Sequence, residues 1–211
     1  MSPRKVRAVF ERFARANPSP RSELEYGSPF QLLVAVILSA QATDRSVNLA
    51  TRELFKVAGT PRQLARLGED GLIPYISRIG LFRAKARNLA AMARILLEKH
   101  GGEVPRERAA LEALPGVGRK TANVVLNVVF GEPTIAVDTH VFRLANRCGL
   151  ARGKNVQEVE AGLLKAIPAE YRLHAHHWLI LHGRHVCKAI KPDCPRCLIN
   201  DLCEWPEKTA G

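Results

Sequence analysis

The sequence has 211 residues, and 46% of them are hydrophobic, which is enough for a substantial core in one large domain or two small ones. It carries 32 lysine and arginine residues against 20 aspartate and glutamate residues, so its formal net charge of +12 favours a polyanionic partner. A ribosomal or histone-like binding role would share this charge. The most apolar run, residues 32–38, is far too short to span a bilayer, and no amphipathic Arg/Ser-rich leader precedes it. These features predict a soluble cytoplasmic protein with no membrane partner.

Apolar residues recur with the helical period along the chain, and no convincing strand alternation appears, so the sequence predicts an all-α protein. Ser28-Pro29 opens a helix that is apolar nearly all round to Leu38, so this helix should be central and buried. Other helix starts are marked by polar caps and helix ends by glycine. The remaining predicted helices are, in chain order, a stripe at Val6, Val9, Phe10 and Phe13, a helix capped by Thr43 or Asp44, a short helix from Thr60-Pro61, residues 72–77, 83–99, 108–113, 120–130 and 139–148, a helix opened by Asn155, and residues 170–184.

A glycine-rich turn, Leu114-Pro-Gly-Val-Gly-Arg-Lys-Thr-Ala122, precedes one of these helices. Gly116 and Gly118 can take positive φ, so the turn can expose successive N–H groups to a phosphate. Lys120 then lies at the start of the next helix beside Arg119, where the helix dipole and the neighbouring cation disfavour the ammonium form. A lysine attacks as the neutral amine, so this position suits a nucleophile. Taken alone, however, Lys120 is better interpreted as a lysine that grips a phosphate.

Asp138 follows Lys120 by eighteen residues and is a good N-cap for residues 139–148, which Gly149 ends. Capping and catalysis are compatible, because the carboxylate of a cap at a cleft edge can also face a substrate. An amine and a carboxylate beside a phosphate-binding turn suit attack on a sugar carbon of a nucleic acid. The amine would become a Schiff base, and the carboxylate would balance positive charge on the sugar.

Four of the five cysteines lie within seventeen residues with the spacing C-x6-C-x2-C-x5-C, namely Cys187, Cys194, Cys197 and Cys203. Zinc sites usually join two pairs of closely spaced cysteines across a longer gap, and only one such pair, Cys194 and Cys197, exists here. The spacing therefore better fits one [4Fe–4S] cluster. Disulfides are disfavoured, because the odd cysteine count and the lack of a signal peptide indicate a reducing compartment. Cys148 lies on an apolar helical face and is predicted to be a buried core residue.

Lys188 and Lys191 lie between the first two cysteines of this group, with Arg184 and Arg196 on either side. An inorganic cube that holds the ends of this segment would fix a basic loop and place its cations against a DNA backbone. A structural role is favoured over redox signalling, because no second cofactor motif is visible. Five of the seven histidines lie from His174 to His185 and are interpreted as interfacial helix residues rather than a metal site.

The segments LPGVGRKTANVVLN and TIAVDTHVFR, the cysteine spacing and LSAQATD (residues 38–44) together resemble the endonuclease III family of helix-hairpin-helix DNA glycosylases. The resemblance covers residues 22–203, and the four motifs occur in the family's order and spacing. It implies two helical lobes with a cleft between them. One is a six-helix domain at residues 22–132 that contains the helix-hairpin-helix motif at about 108–130. The other is an iron–sulfur domain built from residues 1–21 and 133–211, with its C-terminal cluster loop at 187–203.

The resemblance also implies a bifunctional base-excision repair enzyme that acts as a monomer on double-stranded DNA with damaged pyrimidines or abasic sites. Such an enzyme removes oxidised or ring-saturated pyrimidines and cleaves the strand 3′ to the abasic site by β-elimination. Lys120 would attack C1′ and form the Schiff base with help from Asp138. In a bacterium the protein would be associated with the nucleoid. The expected DNA-contacting residues are Gly116, Val117, Gly118, Arg119, Lys188 and Lys191.

Gln41 and Leu81 matter through the resemblance, because residue type alone predicts plain loop packing for both. In similar enzymes, loops at these positions enter the duplex and fill the space left by an extruded nucleotide. A glycosylase must take its target base out of the stack, which costs least for a damaged base.

Two other functions fit part of the pattern. A monofunctional glycosylase for mismatched adenine or thymine would share the fold and the cluster but would use activated water, and Lys120 argues against it. A non-catalytic iron–sulfur protein that binds DNA would need the hairpin and the basic loop. It would have no use for the pairing of Lys120 with Asp138.

Overall fold

The structure is a computed structural model that describes residues 1–209. None of these residues lies in a β-strand, which confirms the all-α prediction. No helix in this part of the chain is both long and apolar enough to cross a membrane. The helices are α1 (Pro3–Ala16), α2 (Pro29–Leu38), α3 (Asp44–Ala58), α4 (Pro61–Ile76), α5 (Phe82–Lys99), α6 (Arg108–Glu112), α7 (Arg119–Phe130), α8 (Thr139–Cys148), α9 (Val156–Ala166), a 3₁₀ turn (Ala169–Tyr171) and α10 (Arg172–His185).

The chain divides into two compact units. The first unit comprises Ser22–Phe130 and holds α2 to α7. The second unit comprises Met1–Arg21 together with Gly131 and the residues that follow it, and it holds α1 and α8 to α10. Each unit has its own hydrophobic core.

The centre of the first unit is α2, which packs against α3, α5 and α7. Its start is fixed locally, because Ser28 Oγ accepts a hydrogen bond from the Gln31 amide at 3.2 Å and Pro29 occupies the first turn. From Leu32 to Leu38 no residue is more than 3% exposed. The prediction of a central buried helix is therefore confirmed.

The region after Thr60 contains two helical segments, as predicted, but they meet at a single residue. Thr60 and Gln63 form a capping box that starts α4, as expected, but the helix continues to Ile76. Gly68 has non-helical angles, φ 69° and ψ −178°, so α4 consists of two helical segments joined by a kink at this residue. A glycine reaches these angles without a Cβ clash, and therefore the kink needs no separate loop.

The second unit joins the two ends of the chain. The buried residues of α1 are those of the predicted stripe, and Phe10 lies 6.1 Å from the ring of Tyr171 and 6.2 Å from that of Trp178. Trp178 Nε1 also donates a hydrogen bond to the Asn17 carbonyl at 2.8 Å. Cys148 is 1% exposed, which confirms the prediction of a core cysteine.

Close packing in the second unit fixes the position of α8 against α10. A Cβ atom built on Gly183 of α10 would lie only 2.7 Å from the His140 carbonyl oxygen in the first turn of α8. Glycine therefore permits an approach that any side chain would prevent. This contact lies two residues from Asp138, so it helps to set the direction in which α8 begins.

Candidate functional site

A glycine turn joins α6 and α7 into a helix-hairpin-helix. The Val117 amide donates to the Leu114 carbonyl at 3.0 Å, and both side chains are buried, so they anchor the turn in the core of the first unit. Gly116 has φ 81°, and a Cβ there would lie 3.2 Å from Asn88 Cβ, so the turn requires glycine. Gly118 does not have positive φ, contrary to expectation, and a Cβ there would meet nothing within 4 Å.

Lys120 is the second residue of α7 and is half-buried, whereas Arg119 before it is exposed. The helix therefore begins at the hairpin turn, and its positive dipole end lies where both cations are attached. Ala122, Val125 and Leu126 are buried on α7, and Arg108 of α6 donates to the side chain of Asn123. These contacts hold the helix that carries Lys120.

Asp138 caps α8, as the sequence predicts. Its Oδ1 accepts hydrogen bonds from the amides of His140 and Val141, each at 2.9 Å. Asp138 is half-buried. Because both cap bonds use Oδ1, the cap does not require Oδ2, and one carboxylate can serve both the helix and a substrate.

Two arginines on α8 hold the start of the cysteine loop (residues 187–203). Arg143 donates through Nε to the Cys187 carbonyl at 3.0 Å and through Nη2 to the Gly183 carbonyl at 2.6 Å. One turn later, Arg147 donates to the Lys188 carbonyl at 2.6 Å and lies 4.4 Å from the centre of the Trp205 ring. The helix that Asp138 caps is therefore bonded directly to the basic segment that follows Cys187.

The four clustered cysteines line one pocket, whose volume is about 310 Å³ including its open mouth. None of them forms a disulfide. Short turns shape the loop, since the Cys197 amide donates to the Cys194 carbonyl at 3.1 Å, and Ile199 is only 1% exposed. Among residues 1–209, no three His, Cys, Asp or Glu side chains converge closely enough to hold a single metal ion.

Burial and N–H donors set the chemistry of these thiols. Burial raises the pKa of Cys197 to about 11, so this thiol stays protonated at neutral pH unless a metal displaces the proton. His182 Nε2 lies 3.2 Å from Cys197 Sγ, and Arg147 donates to Cys187 Sγ at 3.8 Å. Burial lowers the pKa of His182 to about 4, so its ring is neutral and donates to sulfur only in the Nε2–H tautomer.

The remaining predicted DNA-contacting residues lie on exposed loops. Leu81 is 63% exposed and Gln41 is exposed, and both have positive φ, 59° and 55° respectively. They lie in the first unit, as does the hairpin. Lys188 and Lys191 are exposed in the second unit, beside the cysteine pocket, and Lys191 also has positive φ at 49°.

Three structurally important cations were not singled out from the sequence. Lys85 is the only buried lysine or arginine in the part of the chain that the structure describes, and it occupies the apolar stripe of α5 with Leu89 and Met92. The sequence contained a signal for Lys85, because a charged residue at an apolar position of the helical period indicates a buried cation. Arg143 and Arg147 are spaced i, i+4 on α8, which indicates a shared face but not its partner.

The fold and the hairpin together define a class of DNA repair protein. Residues 34–169 match the family described as HhH-GPD superfamily base excision DNA repair protein, where HhH stands for the helix-hairpin-helix. This match includes the hairpin, Lys120 and Asp138.

Relatives narrow the class further. The chain is 60% identical to the endonuclease III of Escherichia coli K12 over 200 residues, which are 95% of each chain. It is also 60% identical over the same share to the endonuclease III of Haemophilus influenzae. A solved structure of a trapped endonuclease III–DNA covalent intermediate is 45% identical, with a TM-score of 0.90 over 97% of this chain and 96% of that one. The chain therefore belongs to the endonuclease III family.

Proposed function

We propose that this protein is a bifunctional DNA glycosylase and abasic-site lyase that removes oxidised or ring-saturated pyrimidines from double-stranded DNA. The observation that carries the proposal is Lys120 at the start of α7, directly after the hairpin turn, in a chain of this family. A related protein has been trapped as a covalent intermediate with DNA, which is the chemistry of a nucleophilic side chain. The lesion class follows from the resemblance to the family.

Lys120 acts as the nucleophile. Its neutral Nζ forms a bond to C1′ of the sugar while the bond from C1′ to the base breaks, and the base leaves with that electron pair and is protonated. The sugar ring then opens to a protonated Schiff base. Loss of a proton from C2′ supplies the electron pair that expels the 3′ phosphate oxygen, so the strand is cleaved by β-elimination. Arg119 and the positive end of the α7 dipole favour the neutral amine.

Asp138 stabilises the positive charge that develops on the sugar as the base departs. Its cap bonds both use Oδ1, and the amides of α8 thereby fix the plane of the carboxylate. Because the carboxylate is already oriented before the reaction, little conformational freedom is lost in the transition state. Its negative charge therefore stabilises the developing positive charge on the sugar more strongly.

DNA is held by phosphate contacts and by two intruding loops. The hairpin amides, Arg119 and the lysine pair Lys188 and Lys191 contact phosphates, because they are cationic or N–H groups on exposed turns. Gln41 and Leu81 enter the duplex where the target nucleotide is extruded. The protein works as a monomer, since every proposed contact comes from one chain. It acts in the cytoplasm, where bacteria such as those of its relatives keep their DNA.

The four cysteines hold one [4Fe–4S] cluster, and the donor set supports this assignment. In such a cube each iron takes one thiolate, so the sulfurs surround a volume and need not converge on a single ion. Arg147 brings an N–H group to one sulfur, and His182 in its Nε2–H tautomer brings one to a second, which suits a negatively charged cluster. When bound, the cluster supplies a rigid anchor that fixes the basic segment after Cys187, a structural role rather than a redox one.

The test is borohydride trapping on duplex DNA that contains an abasic site. The protein should form a covalent adduct, and Lys120→Gln should form none and should not cleave the strand, while its affinity stays within about tenfold, or 1.4 kcal/mol. Lys99→Gln, at the exposed end of α5, is the matched control and should trap normally. An adduct in Lys120→Gln would assign the nucleophile to another amine. Base release by the wild type without any adduct would favour a monofunctional glycosylase, and neither reaction would indicate a DNA-binding protein.

Asp138→Asn separates catalysis from capping. Asparagine caps a helix about as well as aspartate, so the midpoint of urea unfolding should not change. Excision of a damaged base should slow by at least about 100-fold, roughly 2.7 kcal/mol, because the charge that balances the sugar cation is lost. Adduct formation at a preformed abasic site should slow less, since the base has already left. Normal excision with reduced stability would mean that Asp138 is only a cap.

A further inference from the structure

Two loops of the first unit place bulky residues in an unfavourable backbone conformation. We call them the Gln41 loop (residues 39–43) and the Leu81 loop (residues 77–81). Gln41 has φ 55° and Leu81 has φ 59°, a region that residues other than glycine rarely occupy. Leu81 is also the N-cap of α5, yet it makes no side-chain cap bond and is 63% exposed. A serine or aspartate would stabilise that helix start, so local stability does not explain the leucine.

The two loops lie side by side within the first unit. A Cβ atom built on Gly80 would lie 3.9 Å from the carbonyl oxygen of Gln41, which is ordinary van der Waals contact. The backbone next to Leu81 therefore lies against the backbone of Gln41. A movement of either loop would change the space available to the other.

Lys85 lies between these two loops: its backbone makes the helix bond that follows the Leu81 loop, and its side chain makes two hydrogen bonds at the Gln41 loop. Its amide donates to the Leu81 carbonyl at 3.0 Å, in the first turn of α5. Its Nζ donates to the Leu38 carbonyl at 2.9 Å and to the Ala40 carbonyl at 2.6 Å. One residue therefore holds the end of α2, the start of the Gln41 loop and the last residue of the Leu81 loop.

The environment of Lys85 makes this connection rigid. The residue is 5% exposed and follows the helical period of Leu89, Met92 and Leu96, where an apolar side chain would pack without a desolvation cost. Carbonyls at a helix C-terminus lack partners within the helix and carry negative partial charge, so they are suitable acceptors for a buried ammonium. The chain thus has a charged residue at a core position whose two side-chain partners lie at the end of α2 and in the first part of the Gln41 loop.

We propose that Lys85 is a positioning residue for nucleotide extrusion. It holds the Gln41 and Leu81 loops in one fixed arrangement, so that both side chains enter the duplex together without first being ordered. This role rests on the proposed action on DNA, but the loop order that it predicts is a property of the protein alone.

The first test needs no DNA. Lys85→Met removes both side-chain bonds and keeps an unbranched apolar stem. Hydrogen exchange should accelerate about tenfold or more in peptides that cover the two loops, while α7 keeps its exchange rates. Lys99→Met, at the exposed end of the same helix, should leave the exchange rates of both loops unchanged. If Lys85→Met fails to fold, we would use Lys85→Gln, which keeps a polar N–H donor group but is shorter and uncharged. Unchanged exchange in both loops would overturn the proposal.

The second test measures extrusion with a duplex that contains 5,6-dihydrouracil opposite 2-aminopurine. Lys85→Met should lose most of the 2-aminopurine fluorescence increase and should excise the lesion about tenfold more slowly, while borohydride adduct formation at a preformed abasic site changes less than about threefold. In a Gln41→Ala, Leu81→Ala background, Lys85→Met should add less than about twofold, because its effect acts through those side chains. A further tenfold loss in that background would mean a general structural role.

The two tests also separate this inference from the proposed function. If the wild type fails to excise the lesion or to form the adduct, the proposed function fails, whatever the exchange experiment gives. If the wild type does both but Lys85→Met matches it in fluorescence and in excision, only the positioning role fails.

Discussion

The α2 region of the first unit and the cysteine loop of the second reach a fixed geometry by different means. Around α2 the stabilising contacts are apolar, since Leu33, Val34, Ala35 and Leu38 have no exposed surface and pack against helices on several sides. Burial of one such leucine side chain contributes several kcal/mol, and its loss costs about 2–5 kcal/mol. This core supports the hairpin through Leu114 and Val117.

The cysteine loop has few apolar anchors. Ile199 and Pro192 are buried and Leu202 packs against the core of the second unit. Polar bonds from three arginines and one lysine hold the rest of the loop. Arg12 of α1 forms an ion pair with Asp201 and donates to the Leu198 carbonyl at 2.9 Å, and Lys208 donates to the Asn200 carbonyl at 2.7 Å. The other two are Arg143 and Arg147, described above. A neutral hydrogen bond contributes about 0.5–1.5 kcal/mol and one with a charged group about 1.5–3 kcal/mol, whereas exposed ion pairs contribute less.

This difference explains why the proposed metal cluster would stabilise one region and not the other. The α2 region excludes water from its side chains, so adding a cofactor would gain little. The cysteine loop has four thiols, a pocket and polar bonds that each contribute modestly, so a cluster would supply the largest single contribution to its order.

The largest expected effect comes from removing one thiol. Cys197→Ser should abolish the visible absorption of the cluster and leave the cysteine loop open to proteolysis, because the loop loses its anchor. Cys148→Ala is the matched control. It removes the buried cysteine of α8 that lies outside the group of four, and it should keep the absorption. A colourless wild type that contains stoichiometric zinc would contradict the cluster assignment.

A smaller effect is expected when the pH is lowered, because acid should reduce the stability of the second unit. This unit contains all three buried histidines of the described chain. Burial lowers the pKa of His177 to about 4, below its ordinary 6.5, so the folded state prefers the neutral ring. Neutral His177 therefore contributes to the free energy of unfolding. This contribution is fully present above pH 6.5 and is lost as the pH falls towards 4, by about 3 kcal/mol in total.

Urea unfolding at pH 7 and pH 4.5 measures this contribution. The wild type should lose more stability than His177→Gln over this interval, whereas His100→Gln, at a half-exposed position after α5, should match the wild type. Equal losses in all three proteins would show that His177 titrates normally.

The smallest expected effect concerns the charges that the cysteine loop presents. Replacing Lys188 and Lys191 by alanine should weaken binding to damaged and undamaged duplexes alike and should reduce the log–log salt slope by up to about two units. The pair Lys56 and Lys99, from the first unit, provides the control and should leave the slope unchanged. A loss confined to one lesion would instead indicate that the loop reads bases.

Helix starts were predictable from the sequence because a cap acts within one turn. Ser28, Asn155 and Asp138 each accept the backbone bonds expected of an N-cap, and Thr43 rather than Asp44 caps α3. The two predicted helices after Thr60 are joined directly at Gly68, because glycine permits a kink as readily as it ends a helix. The candidate site was found in the same way, since the hairpin and the cysteine group are short continuous segments.

The sequence by itself determined the helices and most of their ends, because these depend on periodicity and on contacts between near neighbours. Its motifs and the family resemblance that they carry supplied the residues of the proposed chemistry. Only the tertiary structure decided that α1 shares a core with α10, and that Arg143 and Arg147 hold the segment after Cys187. It alone also showed that Lys85 reaches the carbonyls of Leu38 and Ala40. These partners are far apart in the chain, and residue type does not specify which distant carbonyl a buried cation will meet.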